Sequence, residues 1–141
     1  MFSWWKHSFQ PPKQPEEPPA EQPAKQPFQT SLADNMATLD TAFEGSKDLV
    51  KKIYQVGTHR VAMACIDNLY NKELLARSII GRLLDAQNLP QPPDELVDYL
   101  RTQVTEPIDV SIVSDWDTGL FMLMSGFALL FIDGSARILA F

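Results

Sequence analysis

The chain has 141 residues, and its 18 Asp plus Glu against 12 Lys plus Arg give a formal net charge of −6. That balance argues against a nucleic-acid binder, which needs a basic face to neutralise phosphates. A single cysteine, Cys65, excludes an internal disulfide framework and a cysteine-rich zinc site, while 45% hydrophobic residues suffice for one folded core.

In chain order, the first segment is proline-rich. Pro11, Pro12, Pro15, Pro18, Pro19, Pro23 and Pro27 are seven of the eleven prolines, and no large apolar residue stands between Gln10 and Gln26. Proline removes backbone donors and blocks helix, and nothing here repays ordering entropy by burial. Residues 1–30 are therefore read as a disordered Pro/Gln-rich tail, with structure beginning at Ser31. The opening Met1-Phe2-Ser3-Trp4-Trp5-Lys6 is too short an apolar run for a signal peptide and has no small-residue cleavage site after it. Its paired tryptophans suit a membrane interface, although a frayed terminus is the plainer reading.

Leu32, Met36, Leu39 and Phe43 predict a helix capped by Ser31 and stopped at Gly45. Leu49–Val56 and Arg60–Ile66 read as a hairpin turning at Gly57-Thr58, the second strand apolar enough to be covered on both faces. A second helix follows Asn71, with Leu75, Ile79 and Leu83 in one row and Ile80 and Leu84 widening it. After Pro90-Gln91-Pro92-Pro93 a third helix points Leu96, Val97, Leu100 and Val104 inward. Ile108, Val110 and Ile112 alternate with Asp109 and Ser111 as a short strand. Ser114-Asp115-Trp116-Asp117 reads as a capping box opening a helix through Met124. Phe127–Ile132, the Asp133-Gly134 turn and Ala136–Phe141 complete the pattern. The uncharged run Thr118–Ile132 is fifteen residues, too short for a span of about 20, and Ser125-Gly126 divides it; it is core.

Ile66-Asp67-Asn68 and Ile132-Asp133-Gly134 echo one another, each closing an apolar strand. The predicted fold is α/β: two small subdomains, 31–89 and 90–141, with short mixed sheets flanked by helices. The first carries seven acids and seven bases; the second carries eight acids against Arg101 and Arg137, so the whole −6 belongs there.

The residues offer little reactive chemistry. His7 lies in the tail and His59 at the hairpin, with no second metal ligand spaced to join either. Cys65 sits inside an apolar strand, and Asp115 and Asp117 are explained by a helix start. Asp67 and Asp133 end buried strands, where α/β folds often place ligands. With Asn68, Tyr70 and Asn71 they form the candidate rim of a small-molecule cleft or interface. The alternative is that Asp-Asn and Asp-Gly are simply good turns. No catalytic residue, metal or cofactor is expected.

Met63-Ala64-Cys65-Ile66-Asp67-Asn68-Leu69-Tyr70-Asn71-Lys72-Glu73, followed by a helix with Ile79, Leu83 and Leu84, resembles one block of a known family. Ser114-Asp115-Trp116-Asp117, a helix, then Ser125-Gly126-Phe127-Ala128-Leu129-Leu130-Phe131-Ile132-Asp133-Gly134 resembles a second. Both are similar to the soluble N-terminal domain of the GerA-type spore germinant receptor A subunit, over about Met36 to Phe141. Trp116 stands where the family has Phe, and Asn68 where it has Gly. The family's following Gly/Pro/Arg/Glu-rich segment and membrane helices do not come after Phe141, which reads as a truncated A subunit or a fragment.

The resemblance implies a non-enzymatic component of a nutrient receptor in the spore inner membrane, this domain on the cytoplasmic side. Its partners would be a transporter-like B subunit and a lipoprotein C subunit, with a role in subunit assembly or signal relay. Membrane attachment would come only through the absent C-terminal part. The residues alone leave a stand-alone soluble ligand-binding or regulatory domain as the alternative. A last strand without its successor also predicts an open sheet edge and self-association.

Overall fold

A computed structural model describes residues 25–69, 79–104 and 110–141. In chain order the elements are α1 (Leu32–Ala42), β1 (Leu49–Val56), β2 (His59–Ile66), α2 (Gly81–Asp85), α3 (Pro93–Tyr99), a π-helical turn (Leu100–Val104), β3 (Ser111–Val113), α4 (Trp116–Met124), β4 (Leu129–Ile132) and β5 (Ile138–Ala140). Tyr70, Asn71, Leu75, Ile108, Asp109 and residues 1–24 of the expected tail lie outside the described residues.

The hairpin forms as its pattern predicts. Val56 pairs with His59, and Gly57 takes a φ of +58°, which matches the turn to the twist of the strands. The α/β class holds, but the sheet differs from the expectation. All five strands form one sheet, in the order β1-β2-β4-β5-β3, and every ladder is antiparallel. The strands expected in two separate mixed sheets thus share one, because β2 and β4 are each apolar on both faces and cover each other's free edge. Val61 faces Ile132 and Ala64 faces Leu129 across that join.

Period-two alternation then sorts the core into two layers. Val61, Met63, Cys65, Leu130, Ile132 and Leu139 share one face with Ile79, Ile80 and Leu83 around α2 and with Leu96, Val97 and Leu100 of α3 and its extension. Ala62, Ala64, Leu129, Phe131, Ile138 and Ala140 share the other with Leu32, Met36 and Leu39 of α1 and Trp116 and Leu123 of α4. Helices on both faces explain why β2 and β4 read as continuous apolar runs. Leu84, expected to widen the buried row of the second helix, is instead 50% exposed, while among the described residues of that stretch Ile79, Ile80 and Leu83 face the sheet.

Several boundaries move. Order reaches back past Ser31: Pro27 bridges Asp115, the Gln26 carbonyl accepts from the Trp116 N–H (2.9 Å), and Phe28 is 3% exposed against Trp116 and Phe131. A Cβ on Gly119 would meet the Phe28 ring at 2.7 Å, so that glycine forms the slot Phe28 fills. Buried Asn35 pins the same strap, donating to the Gln29 carbonyl (2.7 Å) and accepting from its N–H (3.0 Å). Residues 25–30 therefore belong to the fold rather than to the tail, because one aromatic residue and one internal amide give the strap its burial and its hydrogen bonds.

The α4 cap moves by one residue. Asp115, not Ser114, accepts from the Thr118 N–H (2.8 Å) and hydroxyl (2.9 Å). The backbone bond from Thr118 holds the Asp115 carboxyl below the usual aspartate range. β5, expected at an open edge, is paired on both sides, by β4 and β3; the edges are β1 and β3. The run Thr118–Ile132 divides into helix, turn and strand as expected, and no described helix is long and apolar enough to cross a membrane.

Candidate functional site

The turn after β4 joins α1, β2, α3 and the residues before β5. The Asp133 N–H donates to the Arg60 carbonyl (2.9 Å), and its carboxylate accepts from the Leu32 N–H (2.9 Å) at the start of α1. Gly134 donates to the Thr30 carbonyl (2.7 Å). Ser135, buried, donates its hydroxyl proton to Asp94 (2.6 Å) and accepts from the Arg137 N–H (3.1 Å). The Arg137 guanidinium grips both Asp98 oxygens (3.0 and 3.2 Å) and the Asp94 carbonyl (2.8 Å). That hydrogen-bonded pairing holds the Asp98 carboxyl below its usual range and raises Arg137 further above its own. Asp133 is thus a structural anchor: with Ser31 it satisfies amides that the first turn of α1 would leave unpaired.

Asp67 closes a different turn. Its N–H donates to the Asp48 carbonyl (2.7 Å), its carboxylate accepts from the Asn68 N–H (3.1 Å), and Asn68 takes a φ of +68°. The antiparallel register keeps the two aspartates apart. Asp133 lies level with Arg60, whereas Asp67 is seven residues further along β2, roughly 23 Å at the usual strand rise. The structure therefore brings Asp67 and Asn68 together and leaves Asp133 at the opposite end of the sheet.

Two of the cavities among the described residues lie beside loops of interest. One, of about 220 Å³, lies at the β1–β2 turn between Thr58, His59, Asn88 and Gln91. There buried His59 bonds through Nε2 to the Pro90 carbonyl (2.8 Å), and Thr58 donates to Gln91 (3.1 Å). Both polar groups are committed to holding the loop before α3. The other, of about 310 Å³, lies between the end of α1 and α4, lined by Ala42, Phe43, Glu44, Leu120 and Met124. Among the described residues no three His, Cys, Asp or Glu side chains come together as a metal set.

The second cavity adjoins an exposed apolar surface that the sequence reading did not single out. Phe121 is 72% and Met124 68% exposed on α4, and Leu69 and Phe127 are also exposed. Leu69 belongs to the same end of the molecule: its carbonyl stands 3.3 Å from where a Cβ on Gly126 would be, just past α4. The signal was available in Leu120-Phe121-Met122-Leu123-Met124. A helix apolar on every side carries more hydrophobic surface than one sheet face covers.

Comparison with known proteins agrees with this architecture. The fold is similar to the N-terminal domain of the A subunit of the Bacillus megaterium spore germinant receptor GerK3, with a TM-score of 0.68 at 21% identity. The match covers 82% of this chain and 47% of that one, so the chain spans about half the length of the solved domain. No curated protein matches the chain. The family model described as Bacillus/Clostridium GerA spore germination protein matches residues 37–141, and the chain belongs to that family.

Proposed function

We propose that this domain is a non-enzymatic part of the A subunit of a nutrient germinant receptor and serves subunit contact. The observation that carries the reading is the apolar surface of α4, Phe121 and Met124, on a fold similar to that of a receptor A-subunit domain. Large aromatic and Met side chains left in water favour association, and contact that buries them gains about 25 cal/mol per Å² of apolar area. The Asp67-Asn68 turn, next to Leu69, forms the polar rim of this surface. Asp133 serves it indirectly, by fixing α1 against the sheet. The partners are the transporter-like B and lipoprotein C subunits, in the spore inner membrane, with this domain on the cytoplasmic side as an assembly or relay element.

The test is recovery of the receptor from spores of the sporulating host, with the tagged A subunit expressed from its own locus. B and C subunits co-purify with the wild-type A subunit, and Phe121→Asp or Met124→Asp reduces their recovery at unchanged A-subunit abundance. An A subunit that never brings B or C with it overturns the reading.

A further inference from the structure

Helix α4 offers solvent a stripe of Asp117, Phe121 and Met124, residues four and three apart on one helix face. The adjoining cavity is apolar apart from Glu44. An occupant that fits is aromatic, with a base and no acid.

The strap determines where the preceding chain comes from. Gln26 and Pro27 are fixed to Trp116 and Asp115, so residues 1–24 enter the fold at the N-terminal end of this same helix. The stripe ends at Met124, about 12 Å up the helix. The spacer from Gln10 to Ala24 reaches roughly 21 Å as a flexible coil and about 47 Å when fully extended as polyproline II. Either length covers the distance. Beyond the spacer, Met1–Phe9 holds Phe2, Trp4, Trp5 and Phe9 with Lys6 and His7, and contains no acid.

We propose that the aromatic segment Met1–Phe9 of this chain occupies the α4 face. Trp4 and Trp5 pack on Phe121 and Met124 and into the cavity beside Phe43, and Lys6 turns toward Asp117 and Glu44. A tether of this kind supplies an effective concentration on the order of millimolar, so a contact of about millimolar strength keeps the face about half covered. The face is then shielded in the free chain yet open to a tighter-binding subunit. The contact needs no other protein, so it stands or falls separately from the subunit reading.

The test uses the whole 141-residue chain, its Phe121→Glu variant, and the chain lacking residues 2–9. Removing residues 2–9 is expected to shift NMR signals of Phe43, Leu120, Phe121 and Met124 and leave those of the β2–β4 core in place. In Phe121→Glu, acrylamide quenching of Trp4 and Trp5 rises about twofold, as expected for release from half coverage, while the melting temperature is unchanged. Identical spectra with and without residues 2–9 overturn the proposal. So do shifts that grow with protein concentration, which mark a second copy. Tryptophan protection that arises only on adding phosphatidylglycerol vesicles assigns the segment to a membrane and overturns it as well.

Discussion

Ile66-Asp67-Asn68 and Ile132-Asp133-Gly134 are nearly the same words in the sequence, and the fold uses them differently. The first ends β2 as a turn in which the Asp67 carboxylate accepts from the amide of its neighbour Asn68 and the Asp67 N–H donates to the Asp48 carbonyl. The second ties four other segments together: Thr30 and Leu32 at the start of α1, Arg60 on β2, Pro93 and Asp94 on α3, and Arg137 before β5. The difference lies in neighbours rather than in the motif. Asp133 emerges from a strand whose end is overlaid by two helix starts, so the polar groups of its turn meet the Leu32 amide, the Thr30 and Arg60 carbonyls and the Asp94 carboxylate.

Four measurements test that contrast. The largest effect is expected from Gly134→Ala. Gly134 holds a φ of +96°, and a Cβ there would stand 2.6 Å from Pro93 Cγ, part of a ring that cannot swing aside. Backbone strain and overpacking together predict a loss of about 3 kcal/mol in urea unfolding. A loss under a third of that would mean that α3 moves freely away from the turn.

Asp133→Ala comes next, at about 1 kcal/mol, because it leaves the Leu32 N–H without its acceptor. Asp133→Asn, which keeps an acceptor oxygen, recovers most of the loss; failure to do so would assign the effect to charge rather than to the hydrogen bond.

A smaller effect appears in acid. Asp98 is held below the ordinary value of 3.8, first by its hydrogen bonds from Arg137. A depressed carboxyl stabilises the fold fully above that ordinary value, and the contribution is lost as pH falls through the lower folded value. Wild type and Arg137→Gln should therefore differ in urea midpoint at pH 6 and converge below pH 3.8. A gap that persists in acid would locate the role of Arg137 in its bond to the Asp94 carbonyl instead.

The smallest effect belongs to the other turn. Asn68 already adopts a φ of +68°, which Asn tolerates and Gly adopts freely, so Asn68→Gly is expected to change stability by less than about 0.5 kcal/mol. A large loss would show that the Asn68 side chain, and not only its backbone, is required.

Much of the local structure was legible because it rests on short-range physics. The Ser31 cap, the stripe of α1, the Gly57-Thr58 hairpin and the buried faces of β2 and α3 all follow from spacing of three, four or two residues. Phe28 illustrates what was not. It stands among prolines and glutamines with nothing nearby to pack on, and its slot is made by Gly119 and Trp116, about ninety residues away in the chain. The separation of Asp67 from Asp133 was not legible for the same reason: composition marks two strand ends, but only the antiparallel register places them at opposite ends of the sheet. The proposed contact surface was half legible. The unbroken apolar run Leu120–Met124 in α4 announced that some side would be left over, but not that Phe121 and Met124 would be on it.

Short-range sequence pattern carries most of the elements described, their apolar faces and, through two ordered blocks, the resemblance to the family. Each of these is encoded within a dozen or so residues, where periodicity and turn chemistry act directly. The tertiary structure alone decided that the strands form one sheet, that the strap joins the fold at α4, and which of two similar turns is the hub. Those outcomes depend on pairing between segments far apart in the chain. Burial favours any apolar strand meeting any other, and only packing of the whole selects one partner, one register and one side left facing water.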